Sequence, residues 1–370
     1  MRFPGFEGEW ETKKLGEIAT FSKGKGISKS DIAENGLTEC IRYGELYTYY
    51  GEVINDIKSK TNVDTSNLVL SEVNDVIIPA SGETTIDIAT ASCVLKSGIA
   101  LGGDLNIIKT ENNGVFLSYY LNNKKKMEIA NLAQGISVVH LYSSQLATLT
   151  LSFPKLKEQN RISTFLALFD ERIQTQNKII EELKLLKNTI RYQLYEQILN
   201  QENELVQVKD ALNYEQPTKY LVTNTDYSSD ISLIPVLTAN KAFVLGYTDE
   251  EYGIYDKGQC IIFDDFTMDV KFVDFLFKVK SSAIKILTAK PNVNLKFIFE
   301  YLSFLNLSSN EHKRHYISEI EPMEIQLPNY IQQKHVANFL SSIDDKVKTE
   351  FEIHMLLIKQ KQYLLANLFI

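Results

Sequence analysis

The sequence predicts an α+β protein: two globular mixed α/β segments separated by two long antiparallel α-helices that form a coiled-coil spacer, built as a pseudo-two-fold internal repeat. Three observations predict it. Shifted by 174 residues, the sequence matches itself: Leu151-Ser152-Phe153-Pro154-Lys155-Leu156-Lys157-Glu158-Gln159 falls over Ile325-Gln326-Leu327-Pro328-Asn329-Tyr330-Ile331-Gln332-Gln333. From Tyr142 to Tyr195 there are 12 identities in 54 ungapped positions, where ordinary composition gives about three or four. Both matched stretches carry a heptad seam, and the segments between them do not resemble each other.

In chain order the first segment, 1–153, reads as mixed α and β. Asn74–Ile78 and Leu105–Lys109 are strand-like, Phe116–Leu121 is helical, and Ser81-Gly82-Glu83-Thr84-Thr85 reads as a joining turn. A first long helix then occupies 154–200, with Pro154 and Glu158-Gln159 at its start. Its seam is Phe169, Ile173, Gln176, Ile180, Leu183, Lys187, Ile190 and Leu194, in alternating steps of four and three. The second segment, 201–327, offers strands at Gln259–Phe263 and Lys271–Phe277 and a helix at Phe297–Leu302. The second long helix, 328–370, repeats the seam as Ile343, Val347, Glu350, His354, Leu357, Lys361, Leu364 and Leu368. About 40 residues of helix rise about 60 Å, too long to bury inside one small domain. The polar positions shared by both seams, Gln176/Glu350 and Lys187/Lys361, cost stability but fix register and partner.

The start of the second segment matches the first more weakly. Glu11-Thr12-Lys13-Lys14-Leu15-Gly16-Glu17-Ile18 falls over Leu205-Val206-Gln207-Val208-Lys209-Asp210-Ala211-Leu212, with Leu15 over Val208 at an offset of 193. The second segment is therefore 19 residues shorter somewhere in its middle.

Composition excludes several classes. At 44% hydrophobic and 23% charged residues, the 370-residue chain is an ordinary globular sequence, not a disordered one. No apolar run approaches the roughly 18 residues that span a bilayer, and the first residues lack a signal-peptide core, so a cytoplasmic location with no membrane partner is expected. Cys40, Cys93 and Cys260 are scattered, and the five histidines form no metal-ligand spacing; neither disulfide nor metal is expected. No phosphate loop or nucleophile elbow occurs, so no catalytic residue is assigned. The pairs Asp264-Asp265 and Asp344-Asp345 point apart on any regular element and read as solvated charges.

What remains is a polar and aromatic surface suited to DNA. Lys and Arg hold phosphates, and Arg, Asn and Thr read base edges. The candidates in the first segment are Lys23, Lys25, Lys29, Arg42, Tyr43, Tyr47 and Thr84. Those in the second are Lys219, Tyr220, Asn240, Lys241, Lys313 and Arg314. Arg42 and Arg314 fit a bidentate contact to guanine, and each equally fits a structural salt bridge. The net charge of −8 works against a free-standing DNA binder. A coiled-coil adaptor whose globular parts bind other proteins would also account for the helices and the acidity.

The chain resembles the specificity subunits of type I restriction–modification systems. The resemblance rests on Trp10…Lys14-Leu15-Gly16-Glu17-Ile18, on Gly135…His140-Leu141-Tyr142…Leu146, on Phe153-Pro154…Glu158-Gln159…Ile162…Phe165-Leu166…Phe169-Asp170…Ile173, and on the second copy from Leu327-Pro328. It covers the whole chain. It implies that 1–153 and 201–327 are target recognition domains, each reading half of a split double-stranded DNA target. It implies that 154–200 and 328–370 form the spacer and dock two methyltransferase subunits and the restriction subunits. On that resemblance the chain is non-catalytic and carries no cofactor; S-adenosylmethionine, ATP and magnesium would be bound by the partners. The acidity then reads as a division of labour: this chain selects the sequence and its partners supply much of the grip on phosphate.

Overall fold

The structure is a computed structural model and describes residues 2–238, 242–308 and 313–369. The chain divides into two compact units, Met1–Asn177 with Glu352–Ile370, and Lys178–Phe351.

In the first unit, β1 (Glu11–Lys14) and β2 (Ala19–Lys23) open the chain. They are followed by β3 (Asp75–Pro79), β4 (Ser81–Gly82), β5 (Ser92–Val94), β6 (Leu105–Thr110), β7 (Val139–His140) and β8 (Thr150–Phe153). The main sheet runs β2-β6-β3-β5 in antiparallel pairs, with Val53–Ile54 added in parallel at its edge. Its core strands are apolar on both faces, Val76, Ile77 and Ile78 being buried throughout, because a helix covers one face and a smaller sheet the other. The covering helix, Gly114–Asn123, starts at an Asn113 cap whose side chain accepts from the Phe116 amide at 2.8 Å. β1 pairs with β8, with Glu11 opposite Phe153, so the start of the unit is tied to the strand that leads into the long helix. Trp10 of the opening motif packs edge-on to Phe116 at 5.8 Å.

The second unit repeats this plan. Its elements are β9 (Glu204–Gln207), β10 (Leu212–Glu215), β11 (Cys260–Asp264), β12 (Val270–Val273), β13 (Ile284–Ala289) and β14 (Glu324–Leu327). β9 pairs with β14, Glu204 opposite Leu327. These are the positions that the offsets of 193 and 174 place over Glu11 and Phe153, so the weak match at the segment starts is structural. The sheet order β10-β13-β11-β12 repeats β2-β6-β3-β5. The helix Leu295–Leu305 repeats the covering helix, with Asn294 as its cap. The interior of the two segments, which the sequence leaves unrelated, thus shares one topology. Two other expectations change. Ser81–Thr85 is not a plain turn but strand β4 followed by a helical turn, Thr85–Ile88, capped by Thr84. The run Lys271–Phe277 is strand only to Val273.

The long helices are Leu156–Leu199 and Tyr330–Leu368. In the first unit Ile162 and Leu166 share a core with Leu365 and Leu368. In the second unit Tyr195 and Ile198 share one with Ala337 and Leu340. Early residues of one helix therefore meet late residues of the other, which is antiparallel packing. The seam residues Phe169, Ile173, Ile180, Leu183, Ile190, Leu194, Ile343, Val347, Leu357, Leu364 and Leu368 are all buried or half-buried. Gln176, Lys187, Glu350 and His354 are buried on the same stripe.

The recurring Gln159/Gln333 has a physical reason. The Gln159 amide donates to Pro154 O and Asn112 Oδ1, each at 2.9 Å, and its Oε1 accepts from Asn113 N at 2.9 Å. Gln333 donates to Pro328 O and accepts from Asn294 N, each at 2.8 Å. Each glutamine locks the start of a long helix to the cap of the helix covering the sheet. Gln159→Leu strands buried partners and is expected to lower stability by about 2–4 kcal/mol. Thermal unfolding of the variant checks this.

Candidate nucleic-acid interface

In the first unit antiparallel pairing brings the end of β2, the end of β3 and the start of β6 to one end of the sheet, with Lys23 opposite Asn106 and Pro79 opposite Leu105. The loop after β2 is pinned there: Gly24 N donates to Leu105 O at 3.0 Å and Lys25 N to Leu101 O at 2.9 Å. A Cβ on Gly24 would lie 2.0 Å from Gly102 O, so only glycine allows this approach. Lys23, Lys25 and Lys29 are exposed along this loop. Lys23 sits over the Tyr142 ring at 5.7 Å, and His140 stacks on Tyr142 at 6.4 Å. β7 pairs with β4, His140 opposite Ser81, which brings Thr84 to the same end.

Arg42 joins this end beside Gly102. Its Nε and Nη2 donate to Glu45 Oε1 at 3.1 and 2.9 Å, and Ser59 Oγ donates to the same oxygen at 2.6 Å. Glu45 is buried, so the guanidinium is held in one orientation while remaining 24% exposed. Tyr43 packs partly into the core below. Tyr47 is half-buried, and burial, with Tyr43, Glu83 and Asp87 nearby, raises its pKa. The Thr84 hydroxyl donates to Asp87 Oδ2 at 2.6 Å and accepts from Asp87 N, so it serves first as a helix cap.

The second unit gathers its candidates at the corresponding end. β10 ends at Glu215, β11 at Asp264, and Ile284 begins β13. Lys219 is 78% exposed, 3.7 Å from Glu215. Tyr220 is a correction: it is buried, its ring edge-on to Tyr255 at 5.3 Å and its hydroxyl on Glu215 Oε1, so it packs the core rather than facing DNA. Asn240 and Lys241 lie outside the described residues. Lys313 and Arg314 are exposed, with Lys313 Nζ 2.9 Å from Glu319.

The segment carrying Lys313 and Arg314 is fixed by a buried acid that the sequence reading placed in solvent. Asp265 Oδ1 accepts from His315 N at 3.1 Å and Tyr316 N at 2.8 Å, and Asp265 Oδ2 lies 3.3 Å from Lys285 Nζ. Asp264 is buried too and accepts from Phe266 N. Both carboxylates terminate backbone amides beyond the strand end, which is why neither is solvated. The first unit does the same work without charge: Asn106, at the position of Lys285 in the sheet, donates to Leu141 O at 2.9 Å. Asp344 is a further correction, being half-buried between Lys187 and Lys296. Burial would raise its pKa, but the two ammonium groups outweigh that and lower it.

Sequence reasoning missed Glu45, the residue that orients Arg42, because its role depends on burial. Nor did it show that Tyr142 and His140, which stand in the Gly135…Tyr142 motif, pack beside Lys23. Among the described residues no group of three or more His, Cys, Asp and Glu could hold a metal ion, and no helix is long and apolar enough to cross a membrane. The three thiols are free and buried; burial pushes Cys93 and Cys260 up to about 12.

Residues 7–185 match the family model described as type I restriction modification DNA specificity domain. The chain is 46% identical over 133 residues to the type I restriction enzyme EcoR124I/EcoR124II specificity subunit of Escherichia coli, a match covering 34% of this chain and 33% of that protein. It is 23% identical over 285 residues to the type I restriction enzyme MjaX specificity subunit of Methanocaldococcus jannaschii, covering 67% of this chain and 66% of that one. The matched stretches thus span about a third and about two thirds of these curated relatives. In fold it is similar to the crystal structure of a type I restriction–modification S subunit from M. genitalium, with a TM-score of 0.68 at 15% identity over 100% of this chain and 99% of that one. Residues 7–185 belong to the family of type I restriction modification DNA specificity domains.

Proposed function

We propose that this chain reads a bipartite double-stranded DNA target, one half-site per unit, for a type I restriction–modification complex. The observation that carries the reading is the repetition of one sheet end in both units, presenting Lys23, Lys25 and Arg42 in one and Lys219, Lys313 and Arg314 in the other. Two readers on shared long helices suit two half-sites at fixed spacing and rotation. The long helices dock two methyltransferase subunits and, through the assembled complex, the restriction subunits. Exposed Leu185, Leu186 and Tyr192 on the first helix and Leu356 and Tyr363 on the second support this, since a solvated helix rarely carries so much apolar surface. The chain itself is non-catalytic, and S-adenosylmethionine, ATP and magnesium belong to its partners.

Arg42 is the sharpest base-reading candidate, because Glu45 prepays the ordering of its side chain. Arg42→Ala is expected to relax one base position of the first half-site by about 1–3 kcal/mol while leaving the second half-site intact. Modification-sensitive sequencing of DNA methylated by the variant complex checks it. A uniform fall in methylation with an unchanged motif would make Arg42 a phosphate or structural residue.

A further inference from the structure

Lys187 and Lys361 occupy the same place in the repeat, as do Asp170 and Asp344, and each lysine pairs across the helices with the aspartate of the other copy. Lys361 Nζ lies 2.5 Å from Asp170 Oδ1 in the first unit, and Lys187 Nζ lies 2.6 Å from Asp344 Oδ1 in the second. Both lysines also reach a third group, and that group belongs to the globular part. Lys361 meets Glu52 at 3.3 Å, beside the sheet-edge strand Val53–Ile54. Lys187 meets Glu300 at 2.8 Å, on the helix covering the sheet. The position six residues after the cap asparagine is Tyr119 in one unit and Glu300 in the other. Tyr119 donates to Asp170, and Glu300 takes Lys187 and, at 2.7 Å, Arg191. The helix-to-helix pair is thus held constant while the link to the globular part is made from different residues.

A coiled-coil seam gains little stability from a buried ammonium, since apolar replacements are commonly neutral or better. What a three-way ion contact supplies is direction, because its geometry admits one rotation of the attached domain. We infer that Lys361 and Lys187 are positioning residues for DNA reading, each fixing the orientation of one recognition domain on the paired helices. The inference rests on the proposed DNA-reading function.

The test separates orientation from stability. The neutral triple variant Lys361→Met, Asp170→Asn, Glu52→Gln leaves no charge unpaired, so its thermal midpoint is expected to stay within a few degrees of wild type. In cells co-expressing the methyltransferase, methylated sites are mapped by modification-sensitive sequencing. The expected result is at least a tenfold rise, relative to the cognate motif, in methylation of sites whose half-site spacing differs by one base pair. Lys361→Arg, which keeps the charge, is expected to restore most of the wild-type selectivity. A triple variant that folds and keeps wild-type spacing selectivity overturns the inference and leaves the DNA-reading function standing. A wild-type complex that methylates no defined motif overturns that function, and this inference with it.

Discussion

Lys285→Met is expected to destabilise the second unit by about 3–5 kcal/mol, because it leaves a buried carboxylate without its counter-charge. Asp265 and Lys285 are each 1% exposed, so water cannot replace the lost partner. The double variant Lys285→Met, Asp265→Asn is expected to recover a large part of that loss. An asparagine carries no charge, yet its Oδ1 still accepts from His315 N and Tyr316 N. Denaturant unfolding of the single and double variants checks the energies. Hydrogen exchange at His315 and Tyr316 checks the local consequence, which is faster opening of the segment that presents Lys313 and Arg314. Equal destabilisation of the two variants would mean that the charge is irrelevant and that the lysine contributes by packing alone.

How much of this was readable in advance follows the range of the interactions. The long helices were legible because a heptad seam is a local period, and every seam position is buried or half-buried. The repeated Pro154…Gln159 and Pro328…Gln333 were legible as a pattern, but their reason was not. The groups they join, Asn113 and Asn294, lie about 40 residues away in sequence. The common topology of the two segments was hidden, because buried strands need only apolar residues and any mixture of Val, Ile, Leu and Phe meets that need. Asp265 was misread because its partners are backbone amides and a lysine brought in by tertiary folding, and Asp264 because its carboxylate closes a local turn onto the Phe266 amide instead of facing water. Tyr220 was misread with Lys219 because neighbouring side chains on a turn point to opposite sides, the lysine out and the tyrosine in. Among the DNA candidates, residue type did not separate exposed side chains from structural ones: Arg42 is oriented by Glu45, while Thr84 is engaged as a cap.

The second large effect concerns the long helices. Seven residues inserted after Leu183, with a matching heptad in the second helix, keep the seam in phase. They lengthen the helices by about 10 Å, which corresponds to about three base-pair steps of DNA. If the helices set the distance between half-sites, the non-specific spacer of the recognised motif is expected to grow by about two to three base pairs while both half-site sequences stay the same.

Modification-sensitive sequencing of DNA from cells expressing this chain with its methyltransferase, in wild-type and heptad-extended forms, shows whether two half-sites are read and whether the long helices set the gap between them. One split motif is expected for the wild type, and the same two half-sites around a longer gap for the extended form. A single continuous motif, or a gap unchanged by the insertion, would contradict that expectation.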